Sequence, residues 1–223
     1  DACLARGRGL RLLKTAADVV PEVAPTKAQE ALAAATSAAL GERGLLNRLL
    51  ASLLVGFYTG VDLGVQQHAA ADLSSIFTLA LLPNGDRRVC SIESGRWTAP
   101  EILDRITDHH RRYGSIVTVE NVAAQDYIVQ MLKDKTDVPV RGFTTGKSKA
   151  HPEFGFEALA VEMQNAKWII PSDDAGNPAG SELKAWVGEL LDYEPPPAHT
   201  GDRACASWFA REGARAGRAP PRV

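Results

Sequence analysis

The stretch that decides the fold is Phe57-Tyr58-Thr59-Gly60-Val61-Asp62-Leu63-Gly64, a strand-like apolar run that contains one carboxylate. Strand interiors seldom contain Asp, and burying an unpaired charge is costly in free energy. Asp62 therefore needs a partner, and a bound metal ion is the usual one. The run alone is weak evidence for a metal site, so the function depends on which other acidic residues join Asp62.

Periodic patterns that follow this run predict an α/β domain. Strands at 57–65, 74–82 and 87–94 form an antiparallel meander, with a turn at Pro83-Asn84-Gly85-Asp86 between the second and third. Strand and helix patterns then alternate: helices at 99–112, from about 121, at 152–165, 181–191 and 200–214, and strands at 115–119, 138–143 and 167–170. This order predicts a ribonuclease-H-like fold, a mixed central β-sheet with helices on both faces.

The predicted nuclease-type domain occupies residues 57–215, and the flanking segments have different patterns. Residues 1–25 contain an Arg/Gly cluster and end in prolines, which indicates a poorly ordered lead-in. Residues 27–55 have an Ala-rich part and leucines at helical spacing, so residues 1–56 are expected to form a lead-in and a helical segment. Residues 216–223 are polar and rich in Pro and Gly, which predicts a disordered tail.

Composition restricts the class of protein. The 223 residues carry a formal net charge of -2, with 45% hydrophobic and 23% charged residues, as in soluble globular proteins without bulk attraction to nucleic acid. Cys3, Cys90 and Cys205 are far apart, which favours a reducing compartment, and the cytoplasm is the expected location. We find no secretion signal and no apolar stretch of the ~20 residues that a membrane span needs. The start at Asp1 rather than Met is interpreted as a fragment boundary.

Three acidic residues have positions that bring them to one end of the predicted sheet. Asp62 lies in the first strand, Glu120 ends the fourth, and Asp202 opens the last helix. In this order the first and fourth strands are adjacent and parallel, and two carboxylates that close repel unless a cation lies between them. Oxygen ligands select Mg²⁺ or Mn²⁺, and three such acids can hold two ions about 3.5–4 Å apart for phosphodiester hydrolysis. Each acid alone is more often a cap or a solvated side chain, so the combination carries the prediction.

Several segments resemble the C-terminal nuclease domain of tailed-phage terminase large subunits. They are Gly60-Val-Asp-Leu-Gly64, Val117-Thr-Val-Glu-Asn-Val-Ala-Ala-Gln125, Phe143-Thr-Thr-Gly-Lys-Ser-Lys149, His199-Thr-Gly-Asp-Arg203 and Trp208-Phe-Ala-Arg211. This resemblance, over roughly residues 57–215, implies a Mg- or Mn-dependent endodeoxyribonuclease that cuts concatemeric viral DNA during genome packaging. It also implies that Asp62, Glu120 and Asp202 are the catalytic residues and the ligands of two divalent metal ions.

The same resemblance implies partners and a place of action. The partners are double-stranded DNA and, in a full-length subunit, an ATPase motor domain, a small terminase subunit and the portal. The expected location is the host cytoplasm, transiently at the viral procapsid, with no membrane association. The motor domain is not part of this sequence, and residues 1–56 are interpreted as including a remnant of the linker to it.

Four further residues are predicted to support the site. Lys147 and Lys149 follow a predicted strand and are expected to contact DNA phosphates, since such contacts need only positioned cations. Their segment is not a nucleotide-binding P-loop, because it has three residues between its glycines where that motif needs four. His199, three residues before Asp202, is expected to orient water or phosphate. Asp72, at the entry to the second strand, is expected to supply a further metal ligand or to support the other ligands.

Other functions remain open at this point. One is a different ribonuclease-H-like nuclease, such as a junction resolvase or a transposase. Another is an actin-like or sugar-kinase ATPase, because Asp62-Leu63-Gly64 after an apolar strand also begins the phosphate-binding turn of those folds. A third is a non-catalytic module that docks DNA, portal or motor partners.

Overall fold

The computed structural model describes residues 1–23, 25–40, 46, 51, 55–64, 73–120, 126–144, 155–194 and 201–217. The strands are β1 Gly56–Asp62, β2 Ser74–Leu81, β3 Arg87–Gly95, β4 Ile116–Glu120, β5 Val140–Phe143 and β6 Trp168–Ile169. The α-helices are α1 Ala2–Arg6, α2 Lys27–Leu40, α3 Ala99–Tyr113, α4 Asp126–Lys135, α5 Phe156–Gln164, α6 Ser181–Leu191 and α7 Asp202–Gly217, and Ala16–Glu22 forms a 3₁₀ helix.

The strands form one six-stranded mixed sheet with the order β5-β4-β1-β2-β3-β6. β1, β2 and β3 pair antiparallel as a meander, and Gly85 takes a positive φ of 87° in the turn between β2 and β3. β4 and β5 continue the sheet in parallel beyond β1, and β6 pairs in parallel with β3. The predicted meander and the predicted parallel contact between the first and fourth strands are confirmed.

Side chains alternate between the two faces of the central strand β1, as the two-residue period of a strand requires. Tyr58 and Gly60 contact α7 on one face. Val61 packs with Ile102 and Ile106 of α3 on the other. The apolar core therefore lies on both faces of the sheet, and Asp62, two residues after Gly60, shares the face that α7 covers.

Small residues let α7 approach the sheet closely. A Cβ added to Gly60 would lie 2.0 Å from the carbonyl oxygen of Ala206, and a Cβ on Gly217 would lie 2.4 Å from the hydroxyl of Tyr58. The start of α7 is thus near the carboxyl end of β1, and its end is near the amino end. This antiparallel course brings the first turn of α7 to the edge of the sheet where β1 and β4 end.

The N-terminal segment packs against the sheet, so the expectation of a poorly ordered lead-in was wrong. Cys3 is buried with the tryptophans of the α7 face, and Leu13 and Val19 are buried in a second cluster with Phe57 and Tyr113. Its apolar residues have no regular period, which is why the sequence pattern missed them. The division into residues 1–56 and 57–215 stays a prediction.

The spacing of apolar residues in α3 predicts a buried face of Ile102, Leu103, Ile106 and His110, and the structure differs from this prediction in one histidine. His109, not His110, is fully buried, and its Nδ1 atom lies 2.8 Å from Oγ1 of Thr78 in β2. His110 is half-buried at the edge of the helix, with Nδ1 2.8 Å from the carbonyl oxygen of Ser115. Ile106, His109 and Tyr113 follow the spacing of three and four residues that places side chains on one helical face.

The chain ends also differ slightly from expectation. α7 extends to Gly217, so two residues of the predicted tail 216–223 are helical, and the other six lie outside the described residues. None of the helices in the described part of the chain is long and apolar enough to cross a membrane.

Candidate active site

The register of β1 and β4 brings two of the predicted carboxylates side by side. Tyr58 pairs with Ile116, and the parallel register continues to Val61 and Val119. Asp62 and Glu120 each follow directly after that last pair, so they stand on adjacent strands about 4.8 Å apart at the carboxyl edge. Both are buried, with 8% of each residue exposed. The predicted approach of these two acids is therefore what the strand pairing produces.

Asp202 is the first residue of α7, one or two residues after the predicted start of this helix, and the packing of the helix brings it to the same edge. Ala206 lies over Gly60; Asp202 is one helical turn earlier, about 6 Å along the helix axis. Asp62 lies two residues beyond Gly60, about 6.6 Å along the strand in the same direction. An independent contact agrees with this placement, because the backbone N–H of Leu73, next to the start of β2, donates to Oδ2 of Asp202 at 2.9 Å.

The carboxylate oxygens of Asp62 and Glu120 suit a hard divalent cation, although the three acids do not surround one point. Two unit negative charges about 5 Å apart repel by about 3 kcal/mol at an effective dielectric constant of ~20. A divalent cation between Asp62 and Glu120 would convert this repulsion into attraction, and carboxylate oxygens are the ligands that Mg²⁺ and Mn²⁺ prefer. Across the described residues, no three His, Cys, Asp or Glu side chains form a ready metal-binding group. Asp202 thus lies at the same edge of the sheet as Asp62 and Glu120. Its carboxylate accepts the N–H of Leu73 and does not form one cluster with the other two carboxylates.

Two hydroxyls continue the line of carboxylates across the sheet. Ser75 is the registered partner of Asp62, and Ser94 is the registered partner of Ser75. Their Oγ atoms are 3.2 Å apart, and Ser75 is fully buried. Across the neighbouring strands on this face, the side chains at the edge are therefore polar: Glu120, Asp62, Ser75 and Ser94. The next row inward contains the apolar residues Phe77 and Ile92. Sequence reasoning missed both serines, since a strand serine has no distinguishing signal until its register is known.

The four other predicted site residues lie outside the described residues. Asp72, Lys147, Lys149 and His199 are in this group. Their proposed roles in metal support and in DNA contact stay predictions.

Comparison with known proteins yields structural likeness only. No family model matches the chain, and no curated protein matches it. The large terminase nuclease from the thermophilic phage G20c is similar, with a TM-score of 0.53 and 17% identity over 71% of this chain and 82% of that one. RuvC of T. thermophilus, solved with a Holliday junction substrate, has a TM-score of 0.41 and 17% identity over 74% of this chain and 99% of RuvC.

The chain has the ribonuclease-H-like fold that was predicted from its order of strands and helices. Its resemblance to terminase nucleases, first seen in short segments, extends to the three-dimensional structure of the G20c nuclease. At 17% identity this likeness concerns the fold alone.

Proposed function

We propose that this chain is a metal-dependent endonuclease of the phage large-terminase type. Its substrate is concatemeric double-stranded viral DNA, which it cuts during genome packaging. The observation that carries the proposal is the register that sets Asp62 beside Glu120 at the sheet edge where α7 begins with Asp202. The fold shared with the G20c terminase nuclease supports the same function.

In this proposal Asp62, Glu120 and Asp202 hold two Mg²⁺ or Mn²⁺ ions. Bound there, the ions would supply an activated water as nucleophile and would stabilise the charge on the departing oxygen of the phosphodiester. Asp62, on the strand next to that of Glu120, would be one of the residues that hold them. Lys147 and Lys149 are proposed to bind DNA phosphates beside the cut, with His199 and Asp72 supporting the ligands.

The proposed partners and setting follow from the terminase type. They are an ATPase motor domain, a small terminase subunit and the portal, acting in the host cytoplasm at the viral procapsid. The hydrolytic step itself is assigned to this chain, because its acids would hold the ions that carry it out.

The proposal is tested by incubating the 223-residue chain with supercoiled plasmid and Mn²⁺ or Mg²⁺. We expect nicking and then linearisation, and a loss of about 10³-fold in rate for Asp62→Asn. Asp104→Asn is the matched control, because Asp104 is an exposed acid on α3 at the opposite face of the sheet. A wild-type rate for Asp62→Asn would refute the assigned site.

The choice of substrate separates the terminase type from the other nucleases. A terminase-type enzyme cuts both strands of plain duplex DNA, whereas a resolvase cuts only a four-way junction. Equal assays on a duplex and on a junction of the same sequence therefore distinguish them. DNA binding without metal-dependent cutting would favour the docking module, and ATP hydrolysis without DNA cleavage would favour the kinase-like function.

A further inference from the structure

The first turn of α7 is held by an acidic side chain from another helix. One carboxylate oxygen of Glu189, in α6, accepts the backbone N–H of Ala204 at 2.9 Å. The first N–H groups of a helix have no partner within the helix, so an acceptor there stabilises the helix start. A carboxylate also interacts favourably with the positive end of the helix dipole. Glu189 thus acts as a cap supplied from outside the helix.

Arg203 fixes this cap in place. Its Nη1 atom donates to the other oxygen of Glu189 at 2.8 Å, and its Nε atom donates to Glu182 at 3.0 Å. Glu182 and Glu189 are two turns apart in α6, so the guanidinium spans both along one helical face. Partial burial by itself would lower the pKa of Arg203, but the hydrogen bonds that it donates to Glu182 and Glu189 raise its pKa above the usual value. The arginine therefore ties the first turn of α7 to α6.

Gly201 makes the approach of Glu189 possible. It takes a positive φ of 81°, and a Cβ added there would lie 2.6 Å from Oε2 of Glu189. A larger residue would be strained in this backbone conformation and would also displace the cap. Gly201, Glu189 and Arg203 together determine how the chain enters α7 at its first residue, Asp202.

We propose that Glu189, held by Arg203, is a positioning residue that fixes the first turn of α7, and with it the Asp202 carboxylate, at the edge of the sheet where Asp62 and Glu120 lie. This inference rests on the proposed nuclease function, because it assigns a task to a predicted metal ligand. Asp202 is adjacent to Arg203 and lies in the same helical turn as Ala204, so a shift of that turn moves its carboxylate directly. The Ala204 amide and the Asp202 carboxylate are thereby coupled through one short piece of backbone.

The test compares Glu189→Gln and Arg203→Gln in the full chain, with Glu194→Gln as the matched control. Glu194 is an exposed acid just beyond α6 that does not belong to this contact. Binding of Mn²⁺ alone is measured by titration calorimetry, and hydrogen exchange is measured at the Ala204 amide. We expect both variants to bind Mn²⁺ about tenfold more weakly and to exchange faster at Ala204, with Glu194→Gln unchanged.

The signs separate positioning from simple electrostatics. Loss of a negative charge at Glu189 weakens cation binding in either case. If charge alone mattered, the loss of a positive charge at Arg203 would strengthen Mn²⁺ binding. If Arg203 must hold the start of α7 in place, its loss weakens Mn²⁺ binding. Tighter or unchanged Mn²⁺ binding by folded Arg203→Gln would overturn the inference.

Failure of the proposed function would look different. In that case the wild-type protein would bind no Mn²⁺, or would bind it as well as Asp62→Asn does. Glu189→Gln preserves side-chain length and Arg203→Gln shortens the side chain by two atoms, so circular dichroism verifies that each variant is folded. If wild type binds Mn²⁺ through Asp62 while Glu189→Gln binds it equally well, the function stands and the positioning role is wrong.

Discussion

Gly60 and Ala206 are in direct backbone contact, so closely that a Cβ on Gly60 would lie 2.0 Å from the Ala206 carbonyl oxygen. The same added atom would lie 2.3 Å from the backbone nitrogen of Ala210. Backbone atoms on this helix cannot rotate away as the end of a flexible side chain can. The contact therefore sets the height of α7 over β1 and the level at which Asp202 meets Asp62.

We expect Gly60→Ala to lower the free energy of unfolding by about 3 kcal/mol, because α7 must move off the sheet to admit the methyl group. DNA cleavage should fall with it, since Asp202 moves with the helix. Urea unfolding measures the stability. Gly188→Ala is the control: Gly188 lies within α6 with nothing near its Cβ position, so alanine there should stabilise by about 0.5–1 kcal/mol. Equal stability of Gly60→Ala and wild type would contradict the packing argument.

Glu120→Gln should remove the stabilisation of the protein by Mn²⁺. Glu120 is a proposed ligand of the ions, and an amide lacks the negative charge with which a carboxylate holds a divalent cation. Mn²⁺ should raise the melting temperature of wild type by binding the folded state, and this rise should disappear in the variant. Glu157→Gln, at an exposed acid of α5, provides the comparison. An equal rise in melting temperature for wild type and Glu120→Gln would argue against Glu120 as a ligand.

Acid should destabilise the protein through a buried pair on the other face of the sheet. Burial lowers the pKa of His109, although the nearby Glu93 opposes this effect. The His109 ring, whose Nε2 atom lies 3.5 Å from Oε1 of Glu93, and the cations at Arg105 and Arg112 lower the pKa of Glu93 to about 2, against the cost of its burial. His109 therefore contributes stability that is present above its unfolded pKa of about 6.5 and is lost as the pH falls further.

Glu93 acts in the same direction at lower pH. Its stabilisation is complete above the unfolded pKa of about 4.5 and is lost as the pH falls toward about 2. Because Glu93 is partly exposed, we expect this part to amount to about 1–2 kcal/mol after solvent screening. Urea unfolding between pH 8 and pH 3 measures both parts, and Glu93→Gln should flatten the region below about pH 4.5. A curve for this variant parallel to that of wild type would contradict the assignment.

Glu22→Gln should loosen the N-terminal segment. Arg88 is fully buried, and its Nε and Nη2 atoms donate to Glu22 at 2.8 and 3.0 Å. Neutralising Glu22 leaves a buried guanidinium without its counter-charge, at a cost of about 3 kcal/mol. Limited proteolysis within residues 1–23 and urea unfolding both report the change. The control is Glu30→Gln, at an exposed position on α2, which should behave as wild type. If Glu22→Gln also behaved as wild type, the ion pair between Arg88 and Glu22 would contribute little to stability.

Most of the sheet could be predicted because its strands carry local signals. β1, β2 and β3 are apolar runs, turn residues separate β2 from β3, and α6 was predicted with its observed bounds, Ser181–Leu191. The N-terminal segment could not be predicted, because Cys3, Leu13 and Val19 follow no helical or strand period. His109 was missed for a related reason: only its contact with Thr78 in β2 distinguishes it from His110.

The sequence by itself determined the kind of chemistry available. Asp62 within an apolar strand, Glu120 at a strand end and Asp202 at a helix start are local features, and carboxylates select hard cations wherever they meet. Tertiary structure decided which residues are neighbours. The pairing of Asp62 with Ser75, the contact of Gly60 with Ala206 and the cap that Glu189 places on Ala204 join residues distant in sequence. Such contacts depend on strand register and on the distance between a helix and a sheet, which no local pattern encodes.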